Sequence, residues 1–383
     1  MSTYFSDAHD FSVKEFNVIN AGPHIGDPLN DLVSQIAIGA LHDSAERCDA
    51  PKCHPETRVA VQDEIYGWIV HGDPDPARKM AKIKWVTGPA GTGKSAIMGS
   101  VAETSSPDRR RKSAFIPTLA YQLAEYLPAL KNPIAQAIRD KPLLFKKNLR
   151  VQMEALILTP LRQVAIESKV SGVVLVDGVD ECEVEQFFDS HVSPVSPRAG
   201  ESIRRTKDQD QLEILEVLQE AALNPAFPFR IVIASRPERV FRDYFNDDSH
   251  KSSFAPPLIL DEKYNPNADI ALFLRAKFSE IRRRYNFSPS WPSPEILATL
   301  LDQASGQFIY AVTVIRYITT SRYGSPHALL DRSAPNPILA VQWLWVLNGR
   351  LGPGGFYPFV WVGGNPAAFL VNLLLQTDDG NAD

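Results

Sequence analysis

The chain has 383 residues, 44% of them apolar and 22% charged, a balance that buries a sizeable core and allows one large domain plus a smaller one. A net charge of −5 leaves no basic footprint, which argues against nucleic acid or an anionic membrane surface as partner. Three cysteines are too few for a disulfide framework and suit a reducing compartment.

Residues 1–55 form an N-terminal segment that is helical in part. Its opening run MSTYFSDAHDFSVKEF carries acids and no apolar stretch of signal-peptide length. The run from Asp31 to Leu41 has the period of an amphipathic helix. Cys48, Cys53 and His54 resemble one half of a zinc site with no second half. A Pro- and Cys-rich hinge at 49–55 leads into a helix expected over 56–70.

After a Gly-Asp-Pro turn at 72–76 the character changes. Four nearly continuous apolar runs, Ile83–Thr87, Val173–Asp177, Arg230–Ala234 and Leu258–Leu260, read as strands buried on both faces of a parallel sheet. Helical patterns at 94–103, 116–139, 149–168 and 209–223 lie among them. This alternation predicts an α/β fold over 56–262: a doubly wound, mostly parallel sheet flanked by helices. The basic run Arg109–Lys112 reads as a solvated loop. Helical patterns at 268–284, 293–304 and 306–320 predict a smaller helical subdomain over 263–330. From 331 to 383 Pro, Gly and Trp dominate and periodicity disappears, so this stretch reads as an irregular tail. No window reaches the roughly 18 apolar residues of a membrane-spanning helix. A cytoplasmic protein without a membrane partner is expected.

The chemistry starts at Gly88-Pro89-Ala90-Gly91-Thr92-Gly93-Lys94-Ser95, a G-x-x-x-x-G-K-[ST] pattern between a strand and a helix. The glycines let the backbone curl so that successive N–H groups turn toward phosphate oxygens, and the helix start adds its positive end. Lys94 then reaches the β- and γ-phosphates and the Ser95 hydroxyl ligates Mg²⁺. The expected cofactor is ATP or ADP with Mg²⁺.

The run Val173–Asp177 ends on an acid, expected beside the phosphate-loop strand and acting on Mg²⁺ through coordinated water. Asp180 and Glu181 follow just beyond the strand end, suited to orient a water against the γ-phosphate. With Lys94 they form the candidate catalytic set. The run from Arg230 ends in Ser235-Arg236-Pro237, and Arg236 is the candidate γ-phosphate sensor.

In this order, Gly88–Ser95, then Leu175-Val-Asp177-Gly-Val-Asp180-Glu181, then Ile233-Ala-Ser-Arg236-Pro, the residues resemble the NACHT group of STAND P-loop ATPases. More narrowly they resemble NLR-like proteins of mushroom-forming fungi with a nephrocystin-3-like N-terminal NACHT domain. Cys53-His-Pro-x-Thr57-Arg58, Ile116-Pro-Thr-Leu-Ala-Tyr-Gln-Leu123 and Ser305-Gly-Gln-Phe-Ile-Tyr-Ala311 extend the resemblance over about residues 5–330. It implies a switch that rests with ADP, exchanges to ATP, self-associates to signal in self/non-self recognition or cell death, and resets by slow hydrolysis. Protein partners are implied with it.

Two departures qualify the resemblance. The family's Phe-rich second strand has no counterpart across 104–115, which would bare the edge of the 173–177 strand. The tail at 331–383 replaces the family's winged helix and repeats, as in a truncated or aberrant product. A non-catalytic nucleotide-binding scaffold is therefore the alternative. A small-molecule kinase is a third reading, disfavoured by the absence of an acceptor-site signature.

Overall fold

The computed structural model describes residues 27–38, 52–102, 112–164, 172–182, 206–247, 253–320 and 326–331. The four apolar runs form four strands: β1 (Ile83–Thr87), β2 (Val173–Asp177), β3 (Arg230–Ser235) and β4 (Leu258–Ile259). They make one parallel sheet in the order β2-β3-β1-β4. Parallel neighbours need long crossovers, and helices supply most of them. In chain order the helices are α1 (Pro28–Gln35), α2 (Val59–His71), α3 (Lys94–Ala102), α4 (Phe115–Tyr126), α5 (Lys131–Asp140), α6 (Leu149–Met153) and α7 (Thr159–Gln163). After β2 come α8 (Lys207–Leu223), α9 (Arg239–Asn246), α10 (Pro266–Tyr285), α11 (Pro294–Ala304), α12 (Phe308–Thr320) and α13 (Pro326–Asp331).

The period of two along each strand divides the sheet's side chains between its faces. Ile83, Trp85, Val174, Val176, Ile231 and Ile233 face a core built with α1 and α4 to α9. Val86, Val232 and Ala234 face the other way, onto Val61, Ile65 and Trp68 of α2 and Ile97 and Met98 of α3. Helices thus cover both faces. Trp85 is held inside the first core: it stacks on Phe245 at 4.7 Å between ring centroids and donates from Nε1 to Ser235 Oγ at 2.8 Å. Arg230 opens β3 and donates to the carbonyl of Ile69, in the last turn of α2, where a cation offsets the helix's negative end. A separate core, including Ile270, Leu274, Phe278, Leu300, Tyr310 and Ile318, joins α10, α11 and α12 into a bundle.

Several expectations need correction. The strand that ends on Asp177 does not lie beside the phosphate-loop strand, because β3 stands between them. Strand order is a long-range property that no local apolar period encodes. It leaves β2 at the sheet's edge with its outer side unpaired among the described strands. The 116–139 pattern is two helices: the residue before a proline avoids the helical region, and Leu127 before Pro128 sits at φ −123°, ψ 85°. The helix expected from 56 begins at Val59 because Glu56 and Arg58 hold left-handed backbone. The 149–168 pattern is interrupted by a π turn at Glu154–Leu158 and its helix ends at Gln163.

Cys48, the start of the 49–55 hinge, the stretch 103–111 and the tail from 332 lie outside the described residues. No helix among the described residues is long and apolar enough to cross a membrane.

Candidate phosphate site

Parallel register brings the predicted site residues together. Thr87 pairs with Ser235 and Asp177 with Ala234, so three strands end level and Gly88, Gly178 and Arg236 leave the sheet side by side. This is the carboxyl edge, where open α/β sheets bind ligands. The loop from Gly88 turns through Gly91 and Gly93, at φ +82° and +91°, a region that side-chain-bearing residues avoid. It ends on α3, whose first N–H groups lack intrahelical partners and face an incoming anion. Ser95 lies exposed in that first turn.

Several of the loop's carbonyls accept hydrogen bonds. Lys94 Nζ folds back to donate to Gly88 O at 2.6 Å and Pro89 O at 2.8 Å, and Thr92 Oγ1 also donates to Pro89 O. Gly91 O accepts from the Ile309 amide at 3.2 Å. Thr92 O accepts from Arg58 Nη2 at 3.0 Å. The last two donors belong to α12 and to the residue that precedes α2.

Burial pushes the Lys94 ammonium down to about 8. Asp180 pulls it back up, Arg236 lowers it further, and Asp177 and Glu181 raise it. Burial outweighs the three carboxylates, and an anion brought up to Nζ would favour the charged ammonium.

Gly178, at φ +77°, donates its N–H to Ala234 O at 3.0 Å and starts a 3₁₀ turn over Val179–Glu181. The turn buries Asp180 and leaves Glu181 half exposed. Gln211 of α8 ties the turn down by donating to Asp180 O. Arg236 Nε lies 3.3 Å from Asp180 Oδ2 and its Nη2 3.6 Å from Glu181 Oε1. Of the three residues expected to handle the γ-phosphate and its water, Arg236 therefore stands in ion-pair contact with both acids. Arg236 and Glu181 are open enough to re-pair with a ligand.

Among the described residues no cluster of His, Cys, Asp and Glu would hold a metal alone. Mg²⁺ does not need one, since it takes one or two protein oxygens and completes its shell with phosphate and water. Ser95 and Asp177 supply hard oxygen donors of that kind, and the donor set fits.

Arg58, Asp269, Phe308 and Ile309 were not anticipated at this place. The Thr57-Arg58 pair carried a resemblance, but nothing local to it signals a contact with Thr92.

The fold and the loop define the class: a P-loop-like α/β sheet with helices on both faces. The family model described as Nephrocystin 3, N-terminal matches residues 101–236, and this segment is similar to a nephrocystin-3-like N-terminal domain. The match runs from the end of α3 through β2, the acidic turn and β3 to Arg236, and leaves Gly88–Ser95 outside. No curated protein matches the chain.

Proposed function

We propose that this chain binds ATP or ADP with Mg²⁺ and works as a STAND-type nucleotide switch of the NACHT kind, hydrolysing ATP slowly to reset. The carrying observation is the Gly88–Ser95 loop, which opens α3 at the carboxyl edge of a parallel sheet, with Arg236 beyond the neighbouring strand and Asp177 level with it at the end of the next strand. In this reading the loop amides and Lys94 bind the β- and γ-phosphates. Binding draws Lys94 off the Gly88 and Pro89 carbonyls. Ser95 directly and Asp177 through coordinated water would hold Mg²⁺, which would supply charge neutralisation at the phosphates. Glu181 orients the attacking water, Asp180 fixes the Arg236 guanidinium, and Arg236 meets the terminal phosphate. A signalling role, protein partners, self-association on activation and a cytoplasmic location belong to the same proposal.

The test is nucleotide binding and single-turnover hydrolysis by the wild type, Lys94→Ala and Glu181→Gln. Lys94→Ala is expected to lose at least about a hundredfold in affinity, near 2.7 kcal/mol. Glu181→Gln is expected to keep ATP but slow hydrolysis by about a hundredfold. Full binding by Lys94→Ala would remove the phosphate loop from the proposal. A second reading, a scaffold that binds nucleotide without turnover, draws on the pairing of both acids with Arg236. Binding with no hydrolysis in the wild type would select it.

A further inference from the structure

Arg58 is a buried cation with few partners. Its side chain is 3% exposed, yet only Nη2 has a hydrogen-bond acceptor, the carbonyl of Thr92 at 3.0 Å. Nε and Nη1 are buried without one. Nε lies 4.0 Å from Asp269 Oδ2, an ion-pair contact too long for a hydrogen bond. The backbone N–H of Arg58 takes the same oxygen at 3.1 Å. The guanidinium sits over the Phe308 ring, 4.9 Å from its centroid. A buried cation with so few partners adds little to stability and is costly to break. Arg58 also pays for a left-handed backbone at φ 57°.

Those contacts share one location. Thr92 belongs to the phosphate loop, Asp269 to the first turn of α10, and Phe308 to the first residue of α12. One residue further on, Ile309 donates its amide to Gly91 O. The bundle therefore grips the outer face of the loop at two adjacent carbonyls, once directly and once through Arg58. Burial raises the Asp269 carboxyl above its ordinary range, with the Arg58 amide and charge pulling the other way. The pair is thus poorly matched by its surroundings and responsive to a small shift.

We propose that Arg58 is a positioning residue that couples the phosphate loop to the α10–α12 bundle. It holds the Thr92 carbonyl on one side and Asp269 and Phe308 on the other. A change in loop shape then loosens or tightens the Gly91–Ile309 contact. The coupling is a property of the loop and the bundle. Only its response to a ligand rests on the nucleotide reading.

Hydrogen exchange on the full chain tests it, first without nucleotide, in peptides covering residues 88–95 and 305–311. Arg58→Met keeps an apolar stem against Phe308 and removes every donor. It is expected to speed exchange at 305–311 by about tenfold or more while the α10 interior around Leu274 and Phe278 stays protected. Arg58→Lys should recover part of that protection, since an ammonium reaches one acceptor but lacks the planar fork. Asp269→Asn should loosen 305–311 and leave 88–95 close to the wild type. Exchange at 305–311 within about twofold of the wild type in Arg58→Met would overturn the proposal. If Arg58→Met does not fold, Asp269→Asn decides, and unchanged exchange there overturns it equally.

An ADP·Mg²⁺ titration follows. ADP should protect 305–311 in the wild type, whereas Arg58→Met should bind about tenfold more weakly and transmit no protection. Equal protection in both proteins would defeat the coupling. If the wild type binds no ADP, the nucleotide reading fails and the exchange without nucleotide still judges Arg58.

Discussion

The sheet edge and the helical bundle meet the same loop in opposite ways. On the inner side, Lys94, Asp177, Glu181 and Arg236 are charged groups with partial exposure and exchangeable partners. On the outer side, Arg58 makes a buried contact with Thr92 O, and beside it the half-exposed Ile309 donates its amide to Gly91 O. The first kind of contact suits a ligand that comes and goes. The second suits a connection that must persist while the ligand does so. Their cores differ as well: Phe227 lies in the sheet's core and Phe278 in the bundle's, each almost wholly buried.

The largest effects should come from those two phenylalanines. Phe227→Ala and Phe278→Ala are each expected to cost about 3–5 kcal/mol through lost burial and the cavity left behind. Calorimetry with hydrogen exchange should show Phe227→Ala weakening the sheet. Phe278→Ala should weaken α10–α12 first and leave α8 protected. A single transition shifted equally by both would merge the two regions into one cooperative unit.

Next are the loop glycines. A Cβ at Gly93 meets nothing within 4 Å, so Gly93→Ala should lose about 1–2 kcal/mol, from backbone strain alone. A Cβ at Gly91 would stand 2.4 Å from Ile309 Cγ2. Gly91→Ala should therefore also loosen the peptide around Ile309, and Gly93→Ala should not. Equal exchange at 305–311 in the two variants would break the distinction between the loop's inner and outer sides.

Proton linkage gives a smaller, graded effect. Nucleotide phosphates favour the charged ammonium, and in the free protein Lys94 loses its proton near pH 8. Affinity should be flat below that value and fall with rising pH above it, by up to about tenfold per unit. A flat affinity between pH 7 and 9.5 would separate Lys94 from binding. The same group makes the free fold more stable, not less, as pH rises from about 8 toward the ordinary lysine range, because the penalty is on the buried charged form.

The smallest change is expected on the surface. Arg150 reaches Glu216 and Glu220 at 2.9 Å each, with all three side chains substantially exposed. Arg150→Ala should alter the melting free energy by less than about 1 kcal/mol. A larger loss would mean that these charges act as a network.

What the sequence made legible follows the same division. Strand runs announced themselves because a strand covered on both faces must be apolar throughout, and all four begin where expected. The loop was readable because its chemistry lies in eight consecutive residues. Strand order was not, since whether β3 or β2 neighbours β1 depends on crossovers that leave no local period. Helix α9 was missed because Val240, Phe241, Tyr244 and Phe245 occupy only two turns after Pro237. The Arg58 cluster was invisible for another reason: 211 residues separate Arg58 from Asp269, and neither residue type marks a junction.

Trp85 gives the molecule an optical consequence. Its indole is clamped between Phe245 and the hydroxyl of Ser235, the residue before Arg236, and it lies three positions before Gly88. Movement at the strand ends alters the polarity and hydrogen bonding of that indole. Its emission is a built-in, label-free reporter of the site, and Trp85→Phe identifies which part of the chain's fluorescence carries the signal.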